Sequence, residues 1–162
     1  MINLDKHAAE TSQAILDYID EPVKEGSTLQ AKDLEKLATD ALGVLQEQGV
    51  YAFFLYLLSK SGKEDQQDKL TPEEFGACAI MARLLNLLNN PELKSLDSAF
   101  ANGWDKSPPE LNSCKKDILK HISDRIAIDL KRLLLVKSLF EQTLIYTRYG
   151  AKALTSSTTE VS

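Results

Sequence analysis

Apolar residues recur at intervals of three and four along most of this chain, and no segment alternates apolar and polar positions long enough to specify a strand. The pattern predicts an all-α fold: a single-domain helical bundle of five to seven helices with a long C-terminal helical stretch. Leu4, Ala8, Ile15, Tyr18 and Ile19 share one stripe, which predicts a first helix from Leu4 to Ile19, ended by Pro22 and Gly26. Leu34, Leu37, Ala38, Ala41, Leu42 and Leu45 make one clean face of a second helix over Gln30 to Gln46, with Gly49 as its stop. Val50 to Ser59 is apolar on all sides, which predicts a third helix at the centre of the bundle, covered by its neighbours.

Residues 62–70 are polar and predict an exposed loop. The step Thr71-Pro72-Glu73-Glu74 is a helix start: Thr71 accepts from a free backbone N–H, Pro72 sits where a missing N–H is harmless, and Glu74 completes a capping box. The fourth helix then carries Phe75, Cys78, Ala79, Ala82, Leu85 and Leu88 inward and closes at Asn89-Asn90-Pro91. A short helix over Pro91 to Phe100 and a connector around Trp104 follow. Ile118, Ile122, Ile126, Leu130, Leu133, Val136, Phe140 and Leu144 hold one stripe over many turns of a last helical stretch from Pro109 to Leu154, with a break near Ser123. The domain is read as residues 1–154, and the small polar residues 155–162 as a disordered tail. Phe53, Phe54, Leu57, Leu85, Ile126, Leu133 and Phe140 are the expected core.

With 162 residues the chain has the size of one domain and can bury about two-thirds of its unfolded surface, enough for a core without staples. Its 2 cysteines and its acidic, polar N-terminus point to a reducing cytoplasm. The longest apolar run, Val50 to Leu58, falls short of the ~20 residues of a membrane span.

Charge changes the picture. The formal net is −5, which argues against a free-standing nucleic-acid binder, but residues 1–105 hold 9 Lys/Arg against 18 Asp/Glu whereas residues 106–162 hold 10 against 6. On the last helical stretch, Lys131, Arg132, Lys137, Arg148 and Lys152 are the candidate nucleic-acid-binding residues. Lysine and arginine on a phosphate release condensed counterions, and arginine adds a bidentate fork. Tyr146 and Tyr149 lie close enough to stack on bases. Lys36 and Lys60 are weaker candidates. The competing reading is a solvated helix face diluted by Asp117, Asp124, Asp129 and Glu141.

Groups for bond-making chemistry are scarce. His7 and His121 are the only histidines, and no zinc, calcium, phosphate-loop or nucleophile-elbow spacing occurs, so no metal, cofactor or small-molecule substrate is expected. His121 with Asp124 and Arg125 could form an acid/base cluster, against which stands a plain ion-pair face. Cys78 reads as a small core residue, and Cys114, beside Lys115 and Lys116, as a candidate thiol without a fixed base. No catalytic residue is assigned.

The order of features resembles the small, all-helical subunit of type III (Cmr-type) CRISPR–Cas effector complexes. The residues that carry the resemblance are Leu4 to Ala9, the step Gln46 to Val50 into the apolar run Tyr51 to Lys60, and the closing segment Leu144 to Leu154 with Arg148. Gln48 stands where the family usually has Asn, and Thr147 where a second basic residue is usual. The resemblance implies a non-catalytic structural subunit that stacks beside the guide–target RNA duplex and contacts its backbone and neighbouring subunits. Of the basic residues only Arg148 falls on the family pattern. Two other readings stand beside it: a helical protein–protein adaptor or homo-oligomer with no nucleic-acid role, and a helical enzyme using His121, Asp124 and Cys114.

Overall fold

The computed structural model describes residues 3–24, 27–63, 70–96 and 107–160. Most of the expected 62–70 loop and the Trp104 connector lie outside them. The fold is an all-α bundle with a two-stranded ribbon as its only sheet among the described residues.

Helix α1 spans Leu4–Leu16, and the Asn3 side chain caps it by accepting from Lys6 N at 3.0 Å. It ends earlier than Ile19. Residues 17–20 turn instead, with Asp20 in the left-handed region at φ 70, and Asp20 N donates to Leu29 O at 2.8 Å. That turn launches an antiparallel ribbon, β1 (Pro22–Lys24) and β2 (Ser27–Thr28). Strands this short cannot show a two-residue alternation, so the periodicity did not predict them.

Helix α2 spans Ala31–Gln48 and α3 spans Val50–Lys60. Gly49 alone joins them: its N–H donates to Leu45 O at 3.1 Å and its carbonyl accepts from Phe53 N at 3.0 Å, at φ 95, which an L side chain would resist. Helix α4 spans Pro72–Leu88 and begins with the predicted capping box. Glu74 N donates to Thr71 Oγ1 at 3.2 Å, and Thr71 N donates to Glu74 Oε1 at 2.8 Å. Helix α5 spans Pro91–Leu96.

The C-terminal stretch is not one helix. A 3-10 segment (Pro108–Cys114) leads into α6 (Lys115–His121), then a π-helical turn (Ile122–Ile126), then α7 (Leu130–Glu160). The predicted break near Ser123 is this π turn, in which Ala127 N donates to Ile122 O at 2.8 Å. Asp129 restarts the chain as a cap, its carboxylate accepting from Arg132 N at 3.0 Å and its carbonyl from Leu133 N at 2.9 Å. Helix α7 lies along α2 and α1 and runs to Glu160, into the segment read as a tail.

The centre of the bundle is α4, not α3. Gly76, Ala77, Cys78, Ala79, Ile80, Met81, Ala82, Leu84, Leu85, Leu87 and Leu88 are all buried, so α4 is enclosed on almost every side. Its small residues permit close approach: a Cβ on Gly76 would meet Leu37 Cδ2 at 3.3 Å and Leu29 Cδ1 at 3.4 Å. Helix α3 is apolar all round yet leaves Tyr51 and Leu55 40% and 45% exposed on its outer face. Its inner face carries Phe53 and Phe54, whose rings lie 5.3 Å from each other and 6.1 and 6.0 Å from Phe140 of α7. Of the expected core, Phe53, Phe54, Leu57, Leu85, Ile126 and Phe140 are fully buried and Leu133 is partly buried against them. Leu130, which the stripe placed inward, is 70% exposed, because the break before α7 rotates its first turn away from the bundle.

Candidate nucleic-acid interface

Helix α7 buries Val136, Leu139, Phe140, Thr143, Leu144, Thr147 and Ala151 against α1 and α2, which leaves the opposite face to solvent. Eleven residues at about 100° each bring Arg148 to within about 20° of Lys137, and Lys152 follows about 40° further round. These three therefore share one flank, and the separation from Lys137 to Lys152 along the axis is about 22 Å. Lys131 and Lys152 are exposed, and Lys137 and Arg148 are partly exposed.

Lys137 and Arg148 each have a local tie. Lys137 Nζ donates to Gln46 O at 3.3 Å and pairs with Glu141 at 4.0 Å, one turn on. An exposed i,i+4 pair contributes about 0.3–0.5 kcal/mol, so a phosphate competes with it easily. The Arg148 guanidinium lies over the Tyr149 ring at 5.9 Å, and Tyr149 is 61% exposed, so a planar fork and an aromatic face are presented together. Tyr146 is engaged elsewhere: its hydroxyl donates to Asp5 of α1, whose carboxylate raises the phenol pKa above its ordinary value. Only Tyr149 of the two is free to stack.

Arg132 does not join this flank. It sits on the other edge of α7, and its guanidinium donates to Arg125 O, tying the helix start to the π turn. Lys36 is exposed on α2, and Lys60 lies over the Tyr56 ring at 5.8 Å.

The other candidates fall apart as clusters. His121 is buried at the end of α6, and burial, then the Arg125 charge, holds its imidazole below the usual histidine pKa. Asp124 and Arg125 are exposed on the π turn, so the three do not converge on a cleft. Cys114 is half-buried beside Ser113. Lys115 sends its ammonium to the carbonyls of Gly62 and Leu58 at 2.5 and 3.3 Å, closing the C-terminus of α3. Cys78 is buried with its thiol 3.6 Å from Ser61 O, and burial is the main cause that pushes its pKa to about 12. Among the described residues no three His, Cys, Asp or Glu side chains gather as a metal site, and no helix is long and apolar enough to cross a membrane.

Sequence reasoning missed a polar cleft between α1 and the end of α4, lined by His7, Glu10 and Thr11 on one side and Arg83, Asn86 and Asn90 on the other. The signal was present in outline. His7, Glu10, Thr11 and Ala14 fall at helical spacing beside the apolar stripe of α1, but only the packing of α1 on α4 shows that they face Arg83. No protein-family model, no curated protein and no solved structure matches the chain.

Proposed function

We propose that this chain is a non-catalytic structural subunit of a type III (Cmr-type) RNA-guided effector complex, laying α7 against the backbone of the guide–target RNA duplex. The observation that carries this reading is the shared flank of Lys137, Arg148 and Lys152 with the exposed ring of Tyr149. A duplex whose sequence is read by base pairing asks of its scaffold only shape and phosphate contacts, which such a flank can supply. The acidic remainder of the chain is free to face basic neighbours in the assembly.

The test is retention of an RNA duplex across a salt series. Sequence-indifferent binding that weakens steeply with salt is expected, and each cation reversed at Arg148→Glu or Lys152→Glu should lower the log–log salt slope by about 1. Binding insensitive to both salt and reversal would remove the RNA role.

One observation favours the protein-only adaptor as a second reading. Ile128, just before α7, and Leu130 and Leu134 in its first turns are exposed, and Leu130 and Leu134 sit one turn apart. If Leu134→Glu abolishes co-purification with partner subunits while Arg148→Glu leaves every interaction intact, the adaptor reading is the correct one.

A further inference from the structure

The break between α6 and α7 has no helix-breaking residue in it. From Glu110 to Tyr149 the chain contains neither Gly nor Pro. Built as one uninterrupted helix, Ile118, Ile122, Ile126, Leu130, Leu133, Val136, Phe140 and Leu144 fall within an arc of about 120°. The break is therefore imposed by packing: α6 and the π turn lie against α3, whereas α7 lies along α1 and α2. Three local contacts hold the bend. Ala127 N donates to Ile122 O at 2.8 Å, the Asp129 carboxylate caps α7 through Arg132 N at 3.0 Å, and the Arg132 guanidinium donates to Arg125 O.

The bend leaves apolar surface uncovered. Residues 127–131 are all exposed. Ile128, Leu130 and Leu134, at 74%, 70% and 55%, are the most exposed large aliphatic side chains among the described residues, and all three lie at this junction. A helix running through the junction returns Leu130 to the stripe and gives the amides at the start of α7 the i−4 carbonyls that they lack when α7 begins afresh. One chain alone cannot adopt it without pulling α7 off α1 and α2 and stripping Phe53 and Phe54 of Phe140.

We infer that residues 127–129 are a hinge through which α6 and α7 join into one helix, and that α7 is exchanged between two copies of this chain, each α7 packing on α1 and α2 of the other. The exchange remakes every contact of α7 in the partner, so its cost is confined to the three contacts of the bend. The two hinges meet at the two-fold axis and bring the Leu130 and Leu134 pairs of both copies together, out of water. The inference does not rest on the RNA reading, since it concerns the buried face and the start of α7.

The experiment holds the full chain at high concentration near its thermal midpoint, cools it, and separates the products by size-exclusion chromatography with light scattering. A monomer and a dimer are expected, with the amides of residues 128–131 protected from hydrogen exchange in the dimer only. Leu130→Pro suits the first position of α7 but forbids a helix through the junction, and should give a folded chain that stays monomeric. Asp129→Ala removes one cap per hinge, two per dimer, and should raise the dimerisation constant about 30-fold. Exchange is separated from simple docking by heating a mixture of Asp5→Cys and Tyr146→Cys chains, both carrying Cys114→Ser, because Tyr146 of α7 donates to Asp5 of α1. A short bis-maleimide should join the two chains in the dimer fraction. Absence of a dimer, dimerisation of a folded Leu130→Pro chain, an unchanged constant in Asp129→Ala, or a dimer whose mixed chains do not cross-link would each overturn the inference.

Discussion

Ser61 and Asn112, distant in sequence, hold each other reciprocally: the Asn112 amide donates to Ser61 O at 2.7 Å, and the Ser61 hydroxyl lies 2.7 Å from Asn112 Oδ1 and 2.9 Å from Leu58 O. Both side chains are fully buried. With Lys115 on the carbonyls of Leu58 and Gly62, they satisfy the open end of α3 from the 3-10 segment and α6. Asn112→Ala leaves the buried Ser61 carbonyl only the weak Cys78 thiol as donor and the Ser61 hydroxyl only Leu58 O as acceptor, and should cost about 1–3 kcal/mol. Ser61→Ala should cost about 1–2 kcal/mol by the same reasoning. Urea unfolding of both single variants and the double variant measures their coupling, expected at about 1 kcal/mol or more. Additive losses would show that the two side chains act independently.

The same junction protects one of the two thiols. Cys78 is fully buried, hydrogen-bonded to Ser61 O and has a pKa pushed to about 12, whereas Cys114 is half-buried. Only the thiolate reacts with disulfide reagents, so at about pH 8 the native chain should titrate as one thiol, and as two after denaturation. Slow reaction of Cys78 in the native state would report opening of the junction between α3, α4 and the 3-10 segment. Asn112→Ala should accelerate it.

Two helical glycines should respond in opposite directions. A Cβ on Gly43 of α2 would meet nothing within 4 Å, so Gly43→Ala should gain about 0.5–1 kcal/mol of helix propensity. At Gly150 of α7 a Cβ would lie 2.4 Å from Leu16 Cδ1, with Leu16 Cδ2 and Cγ at 3.4 and 3.5 Å. The whole isobutyl group must move, and overpacking of about 1–3 kcal/mol outweighs the propensity gain. Gly150→Ala should therefore lower the urea midpoint, and should raise it when Leu16 is already Ala. A stabilising Gly150→Ala in the parent chain would mean that the end of α1 yields freely.

What the residue pattern made legible was local. The capping box at Thr71 and Glu74 follows from residue types at fixed offsets, and the break near Ser123 follows from length, since the stripe itself runs on unbroken and few globular helices are that long. The exchange of α3 for α4 at the centre was not legible, because hydrophobicity ranks side chains by apolar surface while enclosure depends on how closely neighbours approach. Small residues such as Gly76, Ala77 and Ala79 invite that approach, and Tyr51 and Leu55 do not. Of the five basic candidates, helical geometry placed Lys137, Arg148 and Lys152 together. The same geometry puts Arg132 on the other edge of the helix, and only its bond to Arg125 O is something no spacing reveals. The cleft needed two helices in register, with Arg83 turned onto Tyr18.

His121 gives the chain an acid-sensitive window. Burial and the Arg125 charge lower its folded pKa below the unfolded value of 6.5, so the unfolded chain takes up a proton first as pH falls. The stability this group allows is fully present above about pH 6.5, declines as pH drops towards the folded pKa, and becomes level below it. Glu92, lowered by the hydrogen bond from His7, also favours the folded state at higher pH, but its window opens only from 4.5 downward, so the two are separable. Urea midpoints measured between about pH 7.5 and 5 should fall in the parent chain and stay nearly level in His121→Leu, which keeps the buried volume and removes the proton. His121→Leu should match or exceed the parent near the lower limit even if it is weaker at neutral pH. An unchanged slope in the variant would assign the acid sensitivity to the carboxylates instead, and His121 would then be a packing residue without a titration role.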